Sequence, residues 1–192
     1  MGTTIQPRTL DVISRYSADE VGEVLSRNPQ LVDRALYDVT REMAKESFWF
    51  FLEEVLQNPV LEESLHHPIA NWLQAWAKPK KLLLIPRLHL KTTIGCSWAA
   101  WNIAKNQNIR ILFDSHKMVD AEKFLGLTRA IMETPRYRMF FPEVQPGDKW
   151  GAGAIVVKRT ATLKENTIEC SSTMAEVTGR HYDIIVHDDI VT

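Results

Sequence analysis

The stretch Lys81-Leu82-Leu83-Leu84-Ile85-Pro86-Arg87-Leu88-His89-Leu90-Lys91-Thr92-Thr93 decides how this chain is read. It begins as a short apolar run, turns through proline and polar residues, and ends on Lys-Thr at the head of a helical pattern over 92–105. A strand, a loop and a helix in that order are expected. At such a junction the backbone amides and the helix N-terminus face an anion, which is where a P-loop belongs. Lys91 is then placed to reach the outer phosphates of a nucleotide, and the Thr92 hydroxyl to hold magnesium. The glycine spacing of such loops is missing, since Ile85 and Leu90 stand at the glycine positions. A capped helix with a surface lysine accounts for Lys91-Thr92 as well.

Downstream the pattern continues. An apolar run at 109–114 ends in Asp114, 119–133 reads as a helix, and 154–157 and 167–170 read as strands joined as a hairpin. The last run is Asp183-Ile184-Ile185-Val186-His187-Asp188-Asp189. Short apolar runs alternating with helices predict an α/β fold with a mainly parallel sheet. The 183–188 strand is expected inside that sheet, beside 82–85 or one removed from it. Adjacent carboxylates at the end of a buried strand repel unless a cation compensates, and they lie where open α/β sheets bind ligands. Asp188 is thus a candidate magnesium ligand with Thr92, and Asp189 a candidate to orient or deprotonate an attacking water. A solvated turn also ends in Asp. His187 reads as a hydrogen-bonded core histidine, and Gly179 as a turn residue before the strand.

Upstream the chain reads as helices. Ser17-Ala18-Asp19-Glu20 is a capping box, Leu31, Ala35, Leu36, Val39 and Met43 recur at helical spacing, and a further helix is expected over 67–77. Two domains follow from this change of texture: a helical N-terminal subdomain over 1–77 and a core over 78–192. The charge divides the same way. Residues 1–77 carry 6 Lys+Arg against 12 Asp+Glu, net −6, and 78–192 carry 17 against 12, net +5. Such asymmetry suggests surfaces facing different partners, or merely acidic helices solvating themselves. With 45% apolar and 24% charged residues, the chain is not mainly disordered or of low complexity. Two cysteines exclude a disulfide framework and point to a reducing compartment. No secretory signal follows Met1, and no apolar run approaches a membrane span.

The loop Pro86-Arg87-Leu88-His89-Leu90-Lys91-Thr92-Thr93, the stretch Val177-Thr178-Gly179-Arg180-His181-Tyr182-Asp183 and the ending Ile184–Val191 together resemble the ATPase half of tailed-phage terminase large subunits. The resemblance covers about residues 66–192 and is strongest at the two ends of that range. It implies a RecA-like P-loop NTPase core with a mainly parallel sheet, preceded by a helical segment, with Asp188 closing the Walker B strand and the chain cut soon after it. It implies ATP and Mg2+ as cofactors, with Pro86 to Thr93 around the phosphates. Arg87 would stabilise charge on the γ-phosphate, and an adenine contact would fall near Trp72, with Asn71 and Gln74 as alternatives. It implies duplex DNA, a portal protein and a small terminase subunit as partners, a ring of copies on the capsid, and the cytoplasm of a bacterial host. Asp189 stands where the family usually has Glu, one methylene longer, so lower turnover is expected. Two other readings stay open: a fragment of another RecA-like nucleic-acid motor such as a helicase, and a non-hydrolysing assembly or DNA-binding module with a decayed nucleotide pocket.

Overall fold

A computed structural model describes Glu23 and residues 29–77, 80–172 and 179–188. The capping box at 17–20 and Asp189 lie outside the described residues. The chain divides into two compact units, 1–43 and 44–192. Helix α1 (Pro29–Glu46) begins in the first; everything that follows belongs to the second.

In the second unit, α2 (Phe48–Phe50) starts at Ser47, whose hydroxyl accepts from the Phe50 amide at 3.2 Å. It continues as a π-helical run, Phe51–Leu56, closed by Gln57 in the left-handed region. Helix α3 (Glu63–Gln74) carries Pro68 inside it. Helix α4 (Lys91–Lys105) is the core helix. Its Ile94, Cys96, Ala99, Ala100, Trp101 and Ile103 are all buried. Trp101 Nε1 donates to the Ala44 carbonyl at 2.7 Å and Tyr137 donates its hydroxyl proton to the Ala100 carbonyl at 2.9 Å, so the buried polar tips are satisfied. Helices α5 (Met118–Glu133) and α6 (Pro135–Phe140) follow, α6 with proline at its first position behind the Thr134 cap.

The strands are β1 (Ile111–Ser115), β2 (Pro146–Trp150), β3 (Ala154–Val157), β4 (Ile168–Ser172) and β5 (Ile184–Asp188), in the order β2-β3-β4-β1-β5. This corrects the expectation of a RecA-like, mainly parallel sheet. The sheet is mixed: β1 runs parallel to β4 and β5, whereas β2–β3 and β3–β4 are antiparallel. The reason is loop length. Two strands joined by a short connection can only fold back on each other; a parallel pair needs a long crossover. The expected hairpin of β3 and β4 is present, and with the β2–β3 pair it makes half of the strand pairings antiparallel.

Two further expectations fail. The apolar run at 82–85 is not a strand, and its Leu82 and Leu84 are exposed. Periodicity cannot distinguish a short apolar run that finds a ladder partner from one that does not. The strand ending in Asp188 is not inside the sheet either, but at its edge, paired through β1 alone among the described strands. The buried centre is β1, whose Ile111, Leu112 and Phe113 are covered on both faces. The Phe113 ring packs against that of Phe124 of α5, tilted by 55° with ring centroids 3.9 Å apart. Gly95 of α4 lets the two helices close in there, since a Cβ at that position would sit 2.8 Å from the Phe124 ring. No helix among the described residues is long and apolar enough to cross a membrane.

Candidate functional site

The site is set by the register of β5. Arg110 clamps Asp183 from the adjoining end of β1: its amide donates to Oδ2 at 2.9 Å, Nε donates to Oδ2 at 3.0 Å and Nη2 to Oδ1 at 2.8 Å. The Arg110 guanidinium holds the Asp183 carboxyl below its ordinary value. A slip of one residue would turn every β5 side chain to the other face. With the clamp in place, Asp188 lies opposite Ser115 and His187 opposite Asp114. Ser115 and Asp188 share one face of the sheet; His187 and Asp114 share the other.

On the first face the two halves of the sequence prediction meet. Lys91 Nζ lies 2.9 Å from Asp188 Oδ1, and Thr92 Oγ1 donates to Asp188 Oδ2 at 3.2 Å, across 96 residues of chain. Both residues open α4, whose start has no side-chain cap. Its first amides are therefore left without intrahelical partners. A crevice of about 60 Å3 lies beside Asp188, lined by Phe113, Asp114, Ser115, Asp120, Ala121, Phe124 and Val186. That volume admits an ion with a few waters, not a nucleoside. Asp120 comes from the first turn of α5, another helix without a side-chain N-cap. Its bond to Lys123 keeps its carboxyl below the ordinary value.

The loop before α4 solves the missing glycines in an unexpected way. Leu88 and Leu90 themselves adopt the left-handed backbone, at φ 69° and 57°. Bulky residues rarely do so, and such conformations cluster at functional sites. The Leu88 side chain stands out in solvent at 98% exposure, so the backbone of the loop is not crowded by it. His89 folds back, donating from Nδ1 to the Arg87 carbonyl at 2.9 Å. Pro86 and Arg87 are exposed, and no ion pair joins Arg87 to any described residue. Thr93 serves the helix, its carbonyl accepting from Ser97 Oγ at 2.7 Å.

The remaining candidates are used elsewhere. The Trp72 ring carries the Lys81 ammonium 5.2 Å from its centroid, and Lys81 Nζ donates to the carbonyls of Trp72 and Leu73 at the end of α3. Gln74 Oε1 accepts from the Phe48 amide at 2.8 Å. His187 is hydrogen-bonded as expected, 3.0 Å from Asp114 Oδ2, but half exposed rather than in the core. Gly179 does take a positive φ, 73°. Arg180 behind it is spent on Glu169 at 2.6 Å, where the Tyr182 hydroxyl also donates at 2.7 Å. Burial pushes the Cys96 and Cys170 thiols up to about 12, so neither is a ready nucleophile.

Ser115, Asp120 and the Arg110–Asp183 clamp escape a reading along the chain. Of these only Ser115 carries a signal, its position at the carboxyl end of a strand, which marks ligand sites in α/β sheets. The oxygen-only set of Thr92 and Asp188 suits a hard cation such as Mg2+, which keeps most of its waters and binds with substrate phosphates. No cluster of three His, Cys, Asp or Glu that could cage a metal occurs among the described residues. No known family model matches the chain, and no curated protein matches it.

Proposed function

We propose that the chain is a magnesium-dependent ATPase and that it serves as the motor part of a viral DNA-packaging terminase. One observation carries the ATPase reading: Lys91, Thr92 and Asp188 converge within hydrogen-bond distance although the sequence separates them widely. A lysine, a hydroxyl and a carboxylate at a helix start and a strand end are the parts phosphoryl transfer needs, because catalysis there is mostly positioning and charge stabilisation. MgATP when bound would supply the electrophilic phosphorus and the cation. Lys91 would then leave Asp188 for the phosphates, Thr92 and Asp188 would face the cation, Arg87 would offset charge on the transferred group, and Asp189 would orient the water.

The terminase role, with duplex DNA, portal protein and small subunit as partners, a ring of copies, and the bacterial host cytoplasm as setting, rests on the motif resemblance alone. The mixed sheet does not match the RecA-like core that this resemblance implied. ATP turnover of this chain is measured with duplex DNA present. Lys91→Ala and Asp188→Ala are expected to abolish it; unchanged turnover in both overturns the site. Stimulation by single strands but not by duplex would transfer the reading to a helicase-type motor. The missing glycines at Ile85 and Leu90 favour a second reading, a non-hydrolysing module with a decayed nucleotide pocket. Calorimetry separates the two: no nucleotide binding with magnesium present supports the second.

A further inference from the structure

We infer that Ser115 is a third oxygen ligand of the divalent cation, beside Thr92 and Asp188. The inference rests on the ATPase reading and deepens it. Ser115 is the last residue of β1 and lies directly across from Asp188 in the parallel register. Side chains at paired positions point to the same face. Ser115 is only 4% exposed and lines the crevice beside Asp188. No hydrogen bond joins its hydroxyl to any described residue. The Ser115 Oγ is not one of the buried side-chain atoms shut away without a partner; it opens on the crevice, where a water or a ligand can meet it.

The surroundings choose which ligand. The crevice is lined by the carboxylates of Asp120 and Asp188, which favour a cation, whereas the Asp114 carboxylate is held on the other face by His187. Asp188 is bracketed by two hydroxyls: Thr92 from the start of α4 on one side, Ser115 from the end of β1 on the other. A hydroxyl offers lone pairs that Ala lacks, and hard cations take such oxygens. The position also explains why β5 needs its clamp, because a one-residue slip would separate Asp188 from Ser115.

The test uses the full chain with ATP in excess and measures affinity for Mg2+ and Cd2+ by titration, with thermal melts to establish folding. Ser115→Ala is expected to weaken Mg2+ by about tenfold or more, the scale of losing a metal-site partner, while ATP binding in EDTA is unchanged. Ser115→Cys replaces a hard ligand by a soft one. It is expected to weaken Mg2+ similarly, to bind Cd2+ more tightly than the parent chain, and to show a thiolate-to-cadmium absorbance band that the parent, with Cys96 and Cys170 only, does not. Parent-like Mg2+ affinity in Ser115→Ala, or no cadmium gain and no band in Ser115→Cys, overturns the inference and leaves the ATPase reading standing. A parent chain that binds neither Mg2+ nor ATP overturns both.

Discussion

Replacing Asp188 by Asn should make the chain bind a triphosphate more tightly when no metal is present. The Lys91 ammonium is held 2.9 Å from Asp188 Oδ1, with the two side chains 35% and 22% exposed. A phosphate that recruits Lys91 must first break this pair. Asn keeps the size and removes the charge. Fully exposed pairs contribute about 0.2–1 kcal/mol, and hydrogen bonds to charged groups about 1.5–3 kcal/mol. A pair with this partial exposure falls between, at about 1–2 kcal/mol, which is about 5- to 30-fold in affinity. The assay is calorimetric binding of tripolyphosphate in EDTA at low salt, because screening shrinks the effect at high salt. Asp120→Asn is the control: it removes a charge from the same crevice, but one bonded to Lys123, and is expected to change affinity by less than about threefold. Adding Lys91→Met to Asp188→Asn should erase the gain. With Mg2+ the order should reverse, since the parent carboxylate then faces the cation. Equal or weaker metal-free binding by Asp188→Asn would refute the reasoning.

Other outcomes follow from the same geometry. Leu88→Gly relieves a left-handed leucine whose side chain makes no use of burial; the relief of about 1 kcal/mol is set against a similar entropy cost, so denaturant midpoints should stay level or rise slightly, and a clear loss would mean the leucine is needed. The Asp183 carboxyl is held down chiefly by its hydrogen bonds to Arg110, and that of Glu169, despite burial pushing it up, by the Asn166 amide, the Tyr182 hydroxyl and Arg180. Their folded values lie below the unfolded ones, so the stability they add is full above the ordinary carboxylate range and is lost as pH falls through the depressed values. Urea midpoints followed from neutral pH down to acid should fall less steeply in Asp183→Asn than in the parent; parallel curves would discount the clamp. Gly95→Ala gains about 1 kcal/mol of helix propensity but meets the Phe124 ring at 2.8 Å, where overpacking costs about 1–3 kcal/mol. A net loss of stability is expected in thermal melts, and a rise in Tm would show that the ring yields freely.

Much of the local structure was legible along the chain. The helix behind Lys91, the helix after β1, the β3–β4 hairpin and the strand ending in Asp188 follow from periodicity, because a segment that buries one face repeats its apolar residues at the spacing of its own backbone. The Leu82–Ile85 segment has the pattern of a strand without being one, because four apolar residues satisfy that pattern whether or not a neighbour pairs with them. The order and direction of the strands are not legible along the chain, because pairing is decided between segments far apart. The loop was read through its missing glycines, yet the backbone that glycine would take is present in Leu88 and Leu90.

By itself the sequence determined the chemistry available: a lysine and a hydroxyl opening one helix, a carboxylate closing one strand, and enough apolar surface to pack a core. Tertiary structure decided which of these meet. It brought Lys91 and Thr92 onto Asp188 and left Trp72 under Lys81. It spent Arg180 on Glu169, set β5 at the edge of a mixed sheet, and put the silent Ser115 beside Asp188. The physical reason is that composition and period are local properties, whereas register is a choice among long-range pairings. That choice is made by contacts such as the Arg110–Asp183 clamp, which no repeat in the chain announces.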